Sequence, residues 1–215
     1  MPGMMKRRVR NAVWATAMIL GALGVRAQVA SFDDIANWIG SGANEAALVI
    51  DWNDGLAPES IVWGFRWDGA ATGLDLFQAV TAADPRFGDV ALTDWGWGWT
   101  IDGIGYDLND NGFSQADPGD HYNPGWADPN FWGYYVYDGG SQPWDGGNNW
   151  TASNDGLADR GLSDGSWDGW RYTSWGDVGP SLGQAASVIP EPGTLLLLGL
   201  GVGVIAWARR RRVNG

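Results

Sequence analysis

EAALVIDWNDGLAPESIVWGFRW, residues 45–67, is the stretch on which the fold turns. Glu45 to Trp52 is a compact apolar run of strand length. In the second half Ile61, Trp63, Phe65 and Trp67 alternate with Val62, Gly64 and Arg66, the period of two that gives a pleated strand one fully apolar face. Asn53, Asp54 and Gly55 are turn residues, so the two runs predict a hairpin. Toward the C-terminus, Thr72 and Asp75 form a capping-box signature, Leu76, Phe77 and Val80 recur at helical spacing, and Asp84-Pro85 is a stop. An amphipathic helix over 72–83, packed on the sheet, is expected. Toward the N-terminus, Ser31 and Asp34 repeat that signature, and Gly40 can close a short helix carrying Ile35, Trp38 and Ile39. Trp95, Trp97 and Trp99 alternate with Gly96 and Gly98 and run into a strand from Thr100 to Tyr106. Phe131 to Tyr137 and Gly169 to Thr173 read as further strands. This order predicts an α+β fold, a β-grasp-like mixed sheet crossed by one helix.

Composition bounds what such a domain does. The chain has 215 residues and no Cys, so neither disulfides nor thiol catalysis is available. Its net charge of −12 conceals an asymmetry. The bases cluster at the ends, and between Gln28 and Ile189 only Arg66, Arg86, Arg160 and Arg171 face every acid of the chain except Glu191. Such a surface repels phosphate backbones, which excludes nucleic acid as a partner. The same segment carries all of the 16 Trp but Trp14 and Trp207, too aromatic for acidic disorder and suited to a turn-rich β protein.

The two ends read as targeting segments. Residues 1–27 have a basic start, an apolar stretch and small residues at Val25 and Ala27, the pattern of a signal peptide for the Sec export machinery with cleavage after Ala27. At the other end Pro190-Glu191-Pro192-Gly193 precedes an uncharged apolar run, 194–208, and then Arg209, Arg210, Arg211 and Arg212. As a transmembrane helix that run would be about 22 Å long against roughly 30 Å of hydrocarbon, and the arginines would hold its end on the cytoplasmic side. The expected layout is a signal peptide (1–27), an ectodomain (28–178), a linker (179–189) and a C-terminal signal (190–212) holding that helix.

The order proline-glutamate-proline, apolar run, arginine cluster over 188–212 resembles the PEP-CTERM sorting signal of Gram-negative bacteria. The resemblance implies recognition by a membrane exosortase, removal of the tail, and transfer to the outer surface or an exopolysaccharide matrix. A second likeness lies in residues 45–174. There the blocks from Thr72 to Val80, Thr100 to Ile104, Phe131 to Tyr137 and Gly161 to Tyr172 look like those of the C-terminal domain of transcobalamin and intrinsic factor, which also occurs in bacterial surface proteins. In vertebrate members that domain contributes to corrinoid binding.

Candidate chemistry is sparse. Asp107, Asn109, Asn111 and Gly112 resemble the first half of a calcium loop, to be completed by Asp117 or Asp120, although Pro118 stands where a bidentate Glu is expected. No other cofactor is expected. The Trp95, Trp97, Trp99 ladder is either core beneath the helix, the preferred reading, or a stacking platform for sugar rings, with Trp132 and Tyr134 as further ligand candidates. His121, the sole His, reads as a solvated loop residue, which leaves little for a catalytic triad. The expectation is a non-enzymatic surface protein with a binding or structural role. Its rivals are a capture module for a glycan or a corrinoid and, behind it, a glycoside-active enzyme.

Overall fold

The computed structural model describes residues 28–139, 142–176 and 178–186. The hairpin at its centre is the expected one. Strand β2 (Asn44–Asp51) pairs antiparallel with β3 (Ser60–Trp67), with Leu48 opposite Trp63 and Ile50 opposite Ile61. On its other side β2 runs parallel to β10 (Ser166–Thr173), which pairs antiparallel with β8 (Asn130–Tyr137). Short strands cover both flanks. β1 (Trp38–Gly40) and β11 (Gln184–Ala185) lie on the outer side of β3, while β7 (Trp126–Ala127) and β9 (Thr151–Ala152) lie on the outer side of β8. Both margins of the sheet are therefore partly paired, which blunts edge-to-edge association.

The run from Ala46 to Ile50 is apolar without alternation because both faces of β2 are buried. On one face Ala46, Leu48 and Ile50 join Trp63, Phe65 and Trp170. Covering them is helix α1 (Gly73–Ala83), which lays down Leu76, Phe77 and Val80 and is capped as expected: the Thr72 hydroxyl accepts from Asp75 N–H while the Asp75 carboxylate accepts from Thr72 N–H. On the opposite face Ala47 and Val49 meet Val62, Trp150 and Trp167 under loops and the first and last described segments. A second sheet, of β4 (Phe87–Asp94), β5 (Trp99–Tyr106) and β6 (His121–Pro124) in antiparallel order, adds Ile101, Ile104 and Tyr106 to the first core.

Four expectations are corrected. With 41% strand and 9% helix, the described chain is a mainly β fold and not an α+β one. Its eleven strands form two sheets instead of a single β-grasp-like sheet crossed by a helix. The helix expected around Ile35 is a single 3-10 turn (Phe32–Asp34), because Ser31 makes no side-chain cap and its hydroxyl instead donates to the Asp34 carboxylate. The chain then extends into β1, where the Trp38 ring lies on Gly64 so closely that a Cβ there would stand 2.4 Å from the indole. Residues 179–186, expected as linker, belong to the fold: Ala185 and Ala186 are buried, and Ser181 N–H donates to Asp51. No helix among the described residues is long and apolar enough to cross a membrane. The expected signal peptide with Ala27, and the segment 190–212 with its transmembrane helix, lie outside the described residues.

Candidate functional site

The β4–β5 hairpin closes at the pair Asp94–Trp99, with Trp95 N–H donating to the Gly98 carbonyl. Trp95, Gly96, Trp97 and Gly98 thus form a tight turn, not a strand, and Gly96 supplies its left-handed residue (φ 76°). This overturns the reading of the ladder as core. Trp95 is 57% and Trp97 80% exposed, and only Trp99 is half-buried.

The turn forms one lip of a cleft of about 650 Å³. Trp95 and Trp99 stand on that lip, and β5 adds Thr100, Ile101 and Asp102. The opposite wall comes from the other sheet: Trp126 on β7, Phe131, Trp132 and Tyr134 on β8, and Trp170 on β10. Asp155 and Leu157, in the loop before β10, complete the rim. Four of the five expected ligand residues, Trp95, Trp99, Trp132 and Tyr134, therefore converge, while Trp97 is outside the cleft wall.

Two hydrogen-bonded systems set the aromatic geometry. Trp95 Nε1 donates to the Thr100 hydroxyl at 3.0 Å, and Thr100 donates to Asp102 Oδ1 at 3.0 Å. Asp102 Oδ2 also accepts from the Thr93 hydroxyl. An exposed indole is thereby held in one orientation. On the far wall Tyr134 stacks on Trp170 at 4.4 Å with an interplanar angle of 8°, and its hydroxyl donates to Asp168 Oδ2. Behind it Arg160 bridges Asp138 at 2.6 Å and Asp168 at 3.3 Å. Burial pushes the Asp168 carboxyl up to about 6 despite the Tyr134 hydrogen bond and the Arg160 charge. Burial and the Asp168 charge together raise the Tyr134 phenol well above its ordinary value, so it stays a donor. Gly73, at the first turn of α1, lets the helix approach this pair: a Cβ there would lie 2.4 Å from the Tyr134 hydroxyl.

From the cleft wall the aromatic surface continues outward, with Phe131 stacked against Trp126 at 5.7 Å and packed against Trp175, beyond the cleft, at 4.7 Å. Trp126 and Trp175 are 61% and 77% exposed. The indole N–H groups of Trp132 and Trp170 are buried and have no acceptor among the described residues.

The expected calcium residues are also brought together. Asp107 accepts from Asn111 N–H and Gly112 N–H, Asn111 Nδ2 and Asn109 Nδ2 donate to Asp117 Oδ2, and Asp120 accepts from Leu108 N–H and Ser114 N–H. Hydrogen bonds from the Asn111 side chain, the Gly119 N–H and the Asn109 side chain hold the Asp117 carboxyl below its ordinary value. Among the described residues no group of three or more His, Cys, Asp or Glu side chains is placed to hold a metal ion. His121 is fully buried, contrary to its reading as a solvated loop residue. It stacks on Trp52 at 4.5 Å, sits 2.9 Å from Asp54 Oδ2 through Nδ1, and donates through Nε2 to the Pro58 carbonyl.

Sequence reasoning had no means of assembling Trp126, Phe131, Asp102 and Asp155 into one cleft. The usable signal was the surplus of Trp over what one small core consumes. The expected sorting residues, Pro190 to Gly193 and Arg209 to Arg212, lie outside the described residues. Compared with protein-family models, residues 188–212 match the PEP-CTERM protein-sorting motif. The chain thus carries the signal of an exosortase substrate, exported and sorted to a cell-surface or membrane-associated position. No characterised protein and no solved structure matches the chain, so the likeness to the transcobalamin domain gains no support.

Proposed function

We propose that this surface-sorted chain is a non-enzymatic binding module whose aromatic cleft captures a glycan, in keeping with residence at the cell surface or in an exopolysaccharide matrix. One observation carries the reading. Trp95 is more than half exposed, yet its indole is fixed through Thr100 to Asp102. A large apolar side chain in water has no folding reason to be held in place. A preformed flat face has a binding reason, because ordering it in advance removes an entropic cost from association. Pyranose rings carry axial C–H groups that fit the negative face of an indole. The cleft volume is in the range of small-ligand sites, and its two walls offer aromatic faces from both sheets.

Topology favours the same role. The last described residues pair along β3 at one margin of the large sheet, whereas the cleft is built on β8 and β10 and lies toward the other. β3 and β8 are three interstrand spacings apart, roughly 15 Å. A chain held by its C-terminal side would present the cleft away from the point of attachment.

The test is intrinsic fluorescence and calorimetric titration of the full-length protein with neutral hexasaccharides: cellohexaose, laminarihexaose and chitin hexamer. At least one is expected to perturb tryptophan emission saturably, and Trp95→Ala and Trp126→Ala to weaken it about tenfold or more each. No binding of any hexasaccharide, neutral or charged, or unchanged affinity in both variants, would overturn the reading.

A further inference from the structure

We infer that the ligand of this cleft is a glycan bearing protonated amines, a de-N-acetylated hexosamine chain, and that anionic sugars are refused. The inference rests on the glycan reading and deepens it from the charges around the aromatic walls. Asp102 and Asp155 are the charged side chains of the lining. None of the four arginines of the described domain is part of that lining, and each is paired with an acid elsewhere. Arg66 pairs with Glu45 at 2.8 Å and lies over Trp38, Arg86 pairs with Asp84 at 2.6 Å, Arg160 with Asp138 at 2.6 Å, and Arg171 with Asp51 at 3.4 Å. The described residues contain no lysine.

A uronate, sulfate or phosphate entering the cleft would meet two carboxylates and no counter-charge, at the surface of an intensely acidic domain. Like charges at such range oppose binding, and an anion stripped of water without a partner is costlier still. An ammonium group meets the reverse situation. Carboxylates attract it, and aromatic faces stabilise it through their quadrupole, with Trp the best of the three rings. Apolar sugar faces plus positive charge is thus the chemistry that uses both features of the wall. Asp102 also accepts hydrogen bonds from Thr93 and Thr100, so its charge is fixed beneath Trp95. Asp155 occupies the rim, where an amine of a bound chain would reach it from solvent.

The experiment compares three hexasaccharides of matched length on the full-length protein by calorimetry: chitosan hexamer with its amines protonated, chitin hexamer, and oligogalacturonate. Chitosan hexamer is expected to bind about fivefold or more tightly than chitin hexamer at low salt, and oligogalacturonate not to bind. Asp155→Asn should remove most of the preference for chitosan over chitin hexamer. Asp33→Asn, an exposed acid in the turn before β1 at the other margin of the sheet, should leave the preference intact. If chitosan and chitin hexamers bind equally, if oligogalacturonate binds as well as either, or if Asp33→Asn lowers the preference as much as Asp155→Asn, the inference fails while the glycan reading stands. If none of the three binds, this inference and the glycan reading fall together.

Discussion

Residues 61–67 and residues 95–99 look alike as text: each alternates bulky apolar side chains, two of four in the first and all three in the second tryptophan, with smaller or polar ones. They end in opposite places. In β3, Trp63, Phe65 and Trp67 are all under a tenth exposed, whereas Trp95 and Trp97 stand mostly in water. The difference is cover. β3 has β2 on one side, β1 and β11 on the other, and α1 across its face. The 95–98 segment is the tip of a hairpin whose strand β4 is itself only half-buried. Alternation announces a face; what lies over that face is decided by chain elsewhere.

The largest effect that would break this contrast is on stability. Trp63 is fully buried and donates its indole N–H to Asp84 at 3.0 Å, so Trp63→Ala should cost about 3–5 kcal/mol in urea denaturation. Trp97→Ala should fall within about 0.5 kcal/mol of the parent. Comparable losses in the two would show that the turn is not the free surface described above.

Acid dependence sharpens the contrast between the buried systems serving the two regions. Asp168, beneath the cleft, is raised from 3.8 to about 6, so the folded chain holds its proton more tightly than the unfolded chain does. Its contribution is most favourable below 3.8 and is lost as pH rises to about 6. Asp84, which accepts from Trp63 and pairs with Arg86, behaves in reverse. Burial opposes its charge, but hydrogen bonds from Arg86 and Trp63 and the arginine charge prevail and hold it below its ordinary value. Its stabilisation is present above that value and lost as pH falls through the lowered one. Asp168→Asn should flatten the decline on the rising side, and Asp84→Asn should flatten the loss in acid. Denaturation midpoints followed from pH 3 to pH 7, roughly the carboxylate window, would reveal any exchange of these roles.

Smaller effects follow at the helix and the turn. Thr72→Ala removes the hydroxyl half of the capping box and should cost about 1 kcal/mol, measurable as a lower Tm. Thr100→Val should leave Tm within about a degree or two, since the lost bond is exposed. It should nevertheless shift the indole N–H resonance of Trp95, assigned by its loss in Trp95→Ala, toward a solvent-exposed value, and weaken glycan binding a few-fold. An unchanged resonance would mean that packing, not Thr100, holds the ring.

What could be read in advance was local. The hairpin, the capped helix and strands β8 and β10 follow from period and capping within a dozen residues each. β4 escaped because Phe87 to Asp94 has no clean alternation, being half-exposed on both faces. The turn before β1 carried a helix signature, but Ser31 leaves the backbone N–H groups uncapped and Trp38 is drawn onto Gly64. The cleft joins segments near 95–102, 124–134 and 155–170, brought together by the meeting of two sheets. That is pairing information, which no short window contains. The burial of His121 rests on the same kind of information, since its partners Asp54 and Pro58 lie more than sixty positions earlier in the chain.

One feature of the domain is mechanical. Gln28 bridges to Gln184, Val29 N–H donates to the Gly183 carbonyl, and Ala186 N–H donates to the Val62 carbonyl, so the first and last described residues are knotted to each other at the margin of β3. Tension applied through residue 186 is met first by β11, a two-residue strand, and peeling it would also free the strap at Gln28 and Val29. A pull on that residue would thus be taken up at this seam before it reached the aromatic wall toward the other margin of the sheet.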